Sequence, residues 1–352
     1  FPDLDEFQHQ IFEKEKSFDS TTRITLYNEL KKQYNLVEVS QKTAENIELL
    51  QSQNTFTITT GHQLNLFTGP LYFLYKILST INLCEELSEK FPNQNFVPIY
   101  WMATEDHDFD EINYFNFKGK KVLWNRKDGG AVGRFSTDGL QEVLEVFSAH
   151  LGNSKNALYL KNLFSDAYLK HKNLASATRF IANSLFGQHG LVIIDGDSRD
   201  LKHVFSPFLK DELLHQTSYK EVSKTISELE KAYKIQVNPR EINLFYLEKN
   251  SRERIVFENG IFKIINSDIE FTKDEILLEL EHHPEKFSPN VLLRPLYQEV
   301  VLPNLCYIGG GGELSYWLQL KSYFEAEHIQ FPILLHRNSV LLIFSLAEPN
   351  VD

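Results

Sequence analysis

The stretch Trp101-Met102-Ala103-Thr104-Glu105-Asp106-His107-Asp108-Phe109-Asp110-Glu111 packs five carboxylates and one imidazole into seven residues, directly after an apolar run. Such a cluster can bind an ammonium group or sugar hydroxyls, act as a general base, or hold a divalent metal. Crowded like charges raise some carboxylate pKa values, which suits base chemistry. Taken only as structure, the same residues form a solvated acidic loop. No second segment with ligand spacing accompanies them, so no metal is predicted.

Three further segments carry residues of chemical interest. Gly61-His62-Gln63, with Thr68-Gly69-Pro70 a few residues on, follows a β-branched run. A glycine there permits a tight turn, and a helix starting at Gly69 would offer free N–H groups to an anion. His62 could donate a proton or hydrogen bond to a phosphate or carboxylate; the plain alternative is a strand-to-helix connection with a structural histidine. The run Gly309-Gly310-Gly311-Gly312-Glu313 reads as a glycine loop that lets backbone approach a ligand. It matches neither the dinucleotide fingerprint nor a P-loop, and Glu313 could merely complement a helix dipole. Arg294 and Arg337 are isolated cations beside apolar segments, suited to bidentate carboxylate or phosphate binding or to an ordinary ion pair. Cys306, in an apolar run without a base partner, reads as a core residue. His282-His283 reads as surface. Asp195-Gly196-Asp197 reads either as part of a site or as a strand-ending turn.

The elements that must position these groups are legible as patterns. Strands are expected over 56–60, 96–102, 121–124, 191–194, 300–308 and 333–335, and helices over 12–34, 38–50, 71–90, 140–147, 171–186, 212–233 and 313–324. Thr68 is expected to cap the helix over 71–90, with Pro70 in its first turn. Short alternating strands over 243–248, 255–258 and 261–265, with an Asn259-Gly260 turn, mark a small antiparallel insertion. The fold class is α/β: a Rossmann-like parallel sheet flanked by helices. The division read from the chain is a helical segment over 1–54, core over 55–234 and 286–352, and the insertion over 235–285. In such sheets ligands bind at the carboxyl ends of the strands, where most of the candidate residues lie.

Composition narrows the function. The 352 residues carry 36 Lys+Arg against 48 Asp+Glu, a net charge of −12, which opposes broad nucleic-acid binding. No apolar run approaches the roughly 18 residues that span a bilayer. The start, Phe1-Pro2-Asp3-Leu4-Asp5, lacks the basic and apolar regions of a signal peptide, and the missing initiator Met reads as a trimmed or processed chain. Two separated cysteines, Cys84 and Cys306, suggest neither a disulfide framework nor a thiolate zinc site, and a reducing cytoplasm is the expected setting.

Five blocks, in order, resemble the bacillithiol biosynthesis cysteine-adding enzyme family: Thr60-Gly61-His62-Gln63, Thr68-Gly69-Pro70-Leu71-Tyr72, the acidic block from Glu105 to Glu111, Ser288-Pro289-Asn290-Val291-Leu292-Leu293-Arg294-Pro295 and Gly312-Glu313-Leu314-Ser315-Tyr316-Trp317. The resemblance runs from about Phe56 to Arg337. It implies a Rossmann-like core with inserted segments and a C-terminal coiled coil that dimerises. It also implies addition of L-cysteine to the amine of glucosaminyl malate, with no nucleic-acid or membrane partner. The chain departs from the family at Asp352, where the coiled coil would begin, and in its Gly-Gly-Gly-Gly-Glu run, where relatives often carry a proline.

Amide formation from free cysteine is uphill in water, so an activated carboxyl is needed, and ATP is the expected cosubstrate. Adenylate-forming ligases use a His-x-Gly-His turn after their first strand, where this chain has Gly61-His62-Gln63. The expected roles follow charge. His62, Thr68 and the backbone at Gly69 would hold a phosphate or carboxylate. Glu105, Asp106, His107 and Asp108 would bind the amine and hydroxyls and supply the base. Arg294 or Arg337 would take the malate carboxylates. Gly61, Gln63, Trp101, Asp110, Gly311, Gly312, Glu313 and Tyr316 complete the expected substrate contacts. A sugar or nucleotide transferase on the same core, or a non-catalytic scaffold, are the alternatives.

Overall fold

The computed structural model describes residues 3–35, 37–117, 119–126 and 129–341. Phe1-Pro2 and residues 342–352, including Asp352, lie outside the described residues. The chain opens with helices α1 (Glu6–Ser17), α2 (Ser20–Gln33) and α3 (Gln41–Leu49). The single helix expected over 12–34 is broken: Phe18 is extended, and the Asp19 side chain caps α2 by accepting the Thr22 N–H. Strand β1 (Thr55–His62), helix α4 (Tyr72–Lys90) and strand β2 (Asn95–Met102) follow, then α5 (Phe109–Ile112) and a hairpin of β3 (Tyr114–Phe117) and β4 (Lys120–Leu123). Helices α6 (Leu140–Leu151), α7 (Lys155–Lys170) and α8 (Leu174–Phe186) lead to strand β5 (Val192–Asp195). Helices α9 (Arg199–His215) and α10 (Thr217–Leu229) come next. They replace the one helix expected over 212–233, because Gln216 takes a left-handed conformation with φ of 54° and turns the chain.

The second half contains β6 (Leu244–Leu247), β7 (Arg252–Glu258), β8 (Ile261–Ile264), β9 (Glu270–Phe271), α11 (Lys273–His282) and β10 (Phe287–Pro289). It ends with α12 (Leu293–Val301), β11 (Asn304–Gly309), α13 (Gly311–Leu318), α14 (Lys321–Ala326) and β12 (Ile333–His336). The strand expected over 300–308 begins later, at Asn304. Val300 and Val301 instead close α12, whose start is capped by the Asn290 side chain accepting the N–H groups of Leu292 and Leu293. The glycine run is not a loop. Gly309 ends β11, Gly310 is the residue before α13, and Gly311 and Gly312 form that helix's first turn.

Five strands form one parallel sheet in the order β12-β11-β1-β2-β5. The chain lays down β1, β2 and β5 in one direction, then returns to β11 beside β1 and continues to β12. The order therefore reverses between β1 and β11, which makes that gap the topological switch point. The registers align the carboxyl ends: His62 lies opposite Met102, Met102 opposite Asp195, and Gly309 opposite His336. On one face of the sheet Phe56, Ile58, Phe96 and Ile308 pack with Phe7, Ile11, Leu83 and Leu87 from α1 and α4. The other face belongs to the larger core, which takes in α2, α3, α8, α9 and α12.

The antiparallel sheet has the order β10-β6-β7-β8-β9. Asn259 and Gly260 both have positive φ, 53° and 83°, the geometry of the tight hairpin turn expected there. No helix among the described residues is long and apolar enough to cross a membrane.

Away from the switch point, burial pushes the Glu327 carboxyl, just past α14, up to about 8, helped by Asp211 of α9. The folded state thus keeps a proton that the unfolded chain releases near 4.5. This contribution to stability is present below that pH and is lost as the pH rises through about 8. The urea midpoint is expected to fall between pH 6 and pH 9, and to fall less in Glu327→Gln; an equal fall in both proteins would contradict this assignment.

Candidate active site

A cavity of about 990 Å³ opens at the carboxyl ends of β1, β2 and β5, with the antiparallel sheet as its opposite wall. Its lining includes Gly61, His62, Gln63, Trp101, Glu105, Asp106, His107, Asp108, Arg294, Glu313 and Tyr316 from the sequence-based candidates. Thr68, Gly69, Asp110, Gly311, Gly312 and Arg337 lie outside that lining. The cleft is open and lined by charged and aromatic side chains together.

At the switch point, the buried Lys76 ammonium of α4 contacts both carboxylate oxygens of Glu313 at 2.8 Å and also donates to the Gly61 carbonyl. The Tyr307 hydroxyl donates to Glu313 at 2.7 Å, and the Gly310 N–H donates to it at 3.3 Å. Burial pushes the Glu313 carboxyl up, but Lys76 and Tyr307 outweigh it and hold the group below its usual range. Glu313 therefore already occupies the amino end of α13, where an anion would otherwise bind. At Gly61 the backbone passes close to β11: a Cβ there would sit 3.2 Å from the Tyr307 hydroxyl, a tight contact.

Arg294 lies beside this cluster, its guanidinium 5.6 Å from the Tyr307 ring centre. Nη1 donates to Gln298 at 2.9 Å, while Nη2 is buried without a well-aligned acceptor, with Tyr316 and Glu313 close to the guanidinium. An orphaned charged donor costs about 1–3 kcal/mol or more, and an anionic ligand removes that cost. Arg337 instead stacks 5.2 Å from the Tyr72 ring centre and donates to the Asn338 carbonyl.

The His62 imidazole is held in its neutral form. Its ring packs 5.4 Å from Tyr72 and 5.3 Å from Phe73, and burial with the charge of Lys76 lowers its pKa to about 3. The neutral imidazole keeps a buried Nε2 with no partner. Thr68 does not cap α4. It has φ of 71° and closes a short 3-10 turn, and α4 starts only at Tyr72. Gly69, at φ 65°, is required sterically, since a Cβ would sit 2.6 Å from that of Asn65.

The acidic block divides in two. Glu105 is buried against Lys202 of α9 at 2.5 Å, and Asp197 pairs with Lys202 at 3.7 Å and with Arg134 at 2.6 Å. Burial pushes the Glu105 carboxyl up against the pull of Lys202. Burial also pushes Asp197 up, but Lys202 and Arg134 outweigh it and leave Asp197 below its usual range. Asp195 accepts from Thr104, and the Tyr297 hydroxyl donates to the Gly196 carbonyl, so Asp195-Gly196-Asp197 anchors the loop while Gly196 lines the cavity. The other part is a turn at the rim. Asp106 accepts the N–H groups of His107 and Asp108 through one oxygen and Gln63 through the other. Gln63 also donates to Glu111 at 2.7 Å, and Asp110 accepts from Asn113.

Arg252 of β7 clamps this turn. It donates to Ser288 and to the Pro289 carbonyl, and its Nη1 lies 2.8 Å from His107 Nδ1. Arginine can only donate, so Nδ1 is the acceptor and the ring proton sits on Nε2. Donor atoms of Asp106, His107 and Asp108 lie within 4.8 Å of one another, but the adjacent guanidinium cation opposes a divalent ion there. Sequence reading missed Lys76, Lys202, Arg252 and Tyr307. Lys76 and Tyr307 stand out as polar residues within largely apolar stretches of α4 and β11, but Lys202 and Arg252 sit in elements rich in charge and carry no such signal.

A family model described as bacillithiol biosynthesis BshC, N-terminal Rossmann-like domain, matches residues 1–338. The chain belongs to this BshC family. It is 65% identical over 352 residues to a protein of Flavobacterium johnsoniae, 61% over 351 residues to one of Flavobacterium psychrophilum and 57% over 347 residues to one of Christiangramia forsetii. These alignments cover 100%, 99% and 97% of this chain, and 66%, 66% and 64% of the respective relatives. All three relatives carry the name "Putative cysteine ligase BshC". The chain thus spans about two thirds of the length of these BshC relatives.

Breaking a buried ion pair by removing one partner costs about 3–5 kcal/mol. Lys202→Met is expected to lower unfolding free energy by about that amount, read from urea titration at pH 7. An unchanged midpoint would show that Lys202 does not anchor the acidic loop.

Proposed function

We propose that this chain is the catalytic part of a ligase that joins L-cysteine to the amine of glucosaminyl malate. Membership of the BshC family supports the reading. The geometric observation that carries it is one cavity with two poles: the buried, unpartnered Nη2 of Arg294 on one wall and the Asp106-His107-Asp108 turn on the rim. Joining an acid to an amino sugar needs an anion-holding pole and a pole that takes an amine and hydroxyls.

In this reading the amine nitrogen forms a bond to the cysteine carboxyl carbon. The bond from that carbon to the activated oxygen breaks, and the amine proton passes to a carboxylate of the rim. ATP, as cosubstrate, would supply the leaving group that makes the carboxyl carbon electrophilic. Arg294 and the unpaired Nε2 of His62 suit its anionic oxygens, since each is a buried polar atom without a partner. Asp106 and Asp108 are the bases available, because Glu105 is tied to Lys202 and His107 presents an N–H. Free, buried Cys84 and Cys306 support a cytoplasmic setting, and the proposal for the full-length protein includes dimerisation through a coiled coil.

The full-length protein, mixed with L-cysteine, glucosaminyl malate and ATP, is expected to give the conjugate by mass spectrometry. Loss of a positioned base typically costs about 10²–10⁴-fold in rate, and Asp106→Asn is expected to fall in that range. Unchanged rates in both Asp106→Asn and His107→Ala would remove the acidic turn from the mechanism. Thermal stabilisation by nucleotide sugars but not by cysteine or sugar malates would favour a transferase instead.

A further inference from the structure

Two arginines on the antiparallel wall of the cavity have no part in the scheme above. Arg240 lies in the segment leading to β6, and Arg254 lies on β7 opposite Phe245 of β6. Both line the 990 Å³ cavity, and both also line a smaller adjoining recess of about 260 Å³. Among the described residues neither guanidinium forms an ion pair within 4.0 Å, although Glu241 and Glu253 adjoin them in sequence. The Glu253 carboxylate instead accepts from Asn266 at 3.1 Å. Arg254 is half-buried, and its Nε is buried with no hydrogen-bond partner, whereas Arg240 is exposed. The two charges are near enough that, after burial, Arg254 is the further cause that lowers the Arg240 pKa.

Two neighbouring, unpaired guanidiniums repel each other, and a chain with 48 acidic residues has carboxylates to spare for pairing them. Arg252, two residues before Arg254 on β7 and lining the same cavity, shows the contrast, with each of its side-chain nitrogens engaged. We propose that Arg240 and Arg254 form a second anion subsite, distinct from Arg294, that takes two adjacent anionic oxygen groups of a substrate. Resting on the ligase reading, the candidates are the dicarboxylate of the malate moiety or the phosphates of the cosubstrate. Two forked donors side by side suit either, because each can hold one carboxylate or phosphate bidentately.

The test titrates L-malate and, separately, ATP into the full-length protein by calorimetry, comparing wild type with Arg240→Gln, Arg254→Gln and the double variant. A hydrogen-bonded charge contact is worth about tenfold or more in affinity, so each single variant is expected to weaken one of the two anions by about that factor. The anion that weakens identifies the source. Because the pair is mutually repulsive, the melting temperature of the variants is expected to hold or rise; a structural arginine would lower it. The subsite is overturned if the double variant binds both anions as wild type does, or if wild type binds neither at millimolar concentration. Ligation with an unchanged KM in the double variant would also overturn it while leaving the ligase reading intact. Weakened anion binding without any conjugate from wild type would do the reverse.

Discussion

The contact on which the site depends is the ion pair of Lys76 with Glu313. It spans the switch point, joining α4, which follows β1, to α13, which follows β11. At a switch point the two connections leave the sheet in opposite directions, and nothing in the sheet itself closes the gap between them. The Lys76 ammonium closes its floor by holding the Gly61 carbonyl and the Glu313 carboxylate together. The Tyr307 hydroxyl, from β11, donates to the same carboxylate. With 2% of its side chain exposed, Lys76 has no solvent to fall back on, so the pair holds the floor at one geometry.

A second buried cation sets the rim in the same way. Lys202 of α9 meets Glu105 and Asp197, while Arg252 of β7 meets His107. The acidic loop is therefore held between the two sheets, with Gln63 joining it to β1. This explains how a chain with net charge −12 can gather carboxylates at one edge. The inward carboxylates are neutralised by buried cations, and the rim carboxylates remain for a ligand. Among the cations that line the cavity, Arg294 keeps a buried Nη2 and Arg254 a buried Nε without a hydrogen-bond partner.

Much of the sheet was legible because its strands are continuous apolar or β-branched runs ended by glycine or polar residues. The runs at 96–102 and 191–194 reappear within a residue or so as β2 and β5. The Asn259-Gly260 hairpin was legible for the same local reason. Boundaries failed where a single residue's side chain or backbone overrides periodicity, as with the Asp19 cap and the left-handed Gln216. Of the candidate site, the acidic block was visible as a cluster of like residues, but its split into an anchored Glu105 and an open turn depends on Lys202, 97 positions later in the chain. The glycine run misled because glycine permits a loop without requiring one. Glu313 turns those residues into a helix start by satisfying the Gly310 N–H.

In the proposed reaction the reacting groups meet in the switch-point cavity. A crystal structure of the full-length protein with glucosaminyl malate and a non-hydrolysable ATP analogue measures this directly. Ligand density is expected inside the cavity, with anionic oxygens within hydrogen-bonding distance of Arg294 and the sugar amine at the Asp106-Asp108 turn. Both ligands bound elsewhere, with this cavity empty, would contradict it.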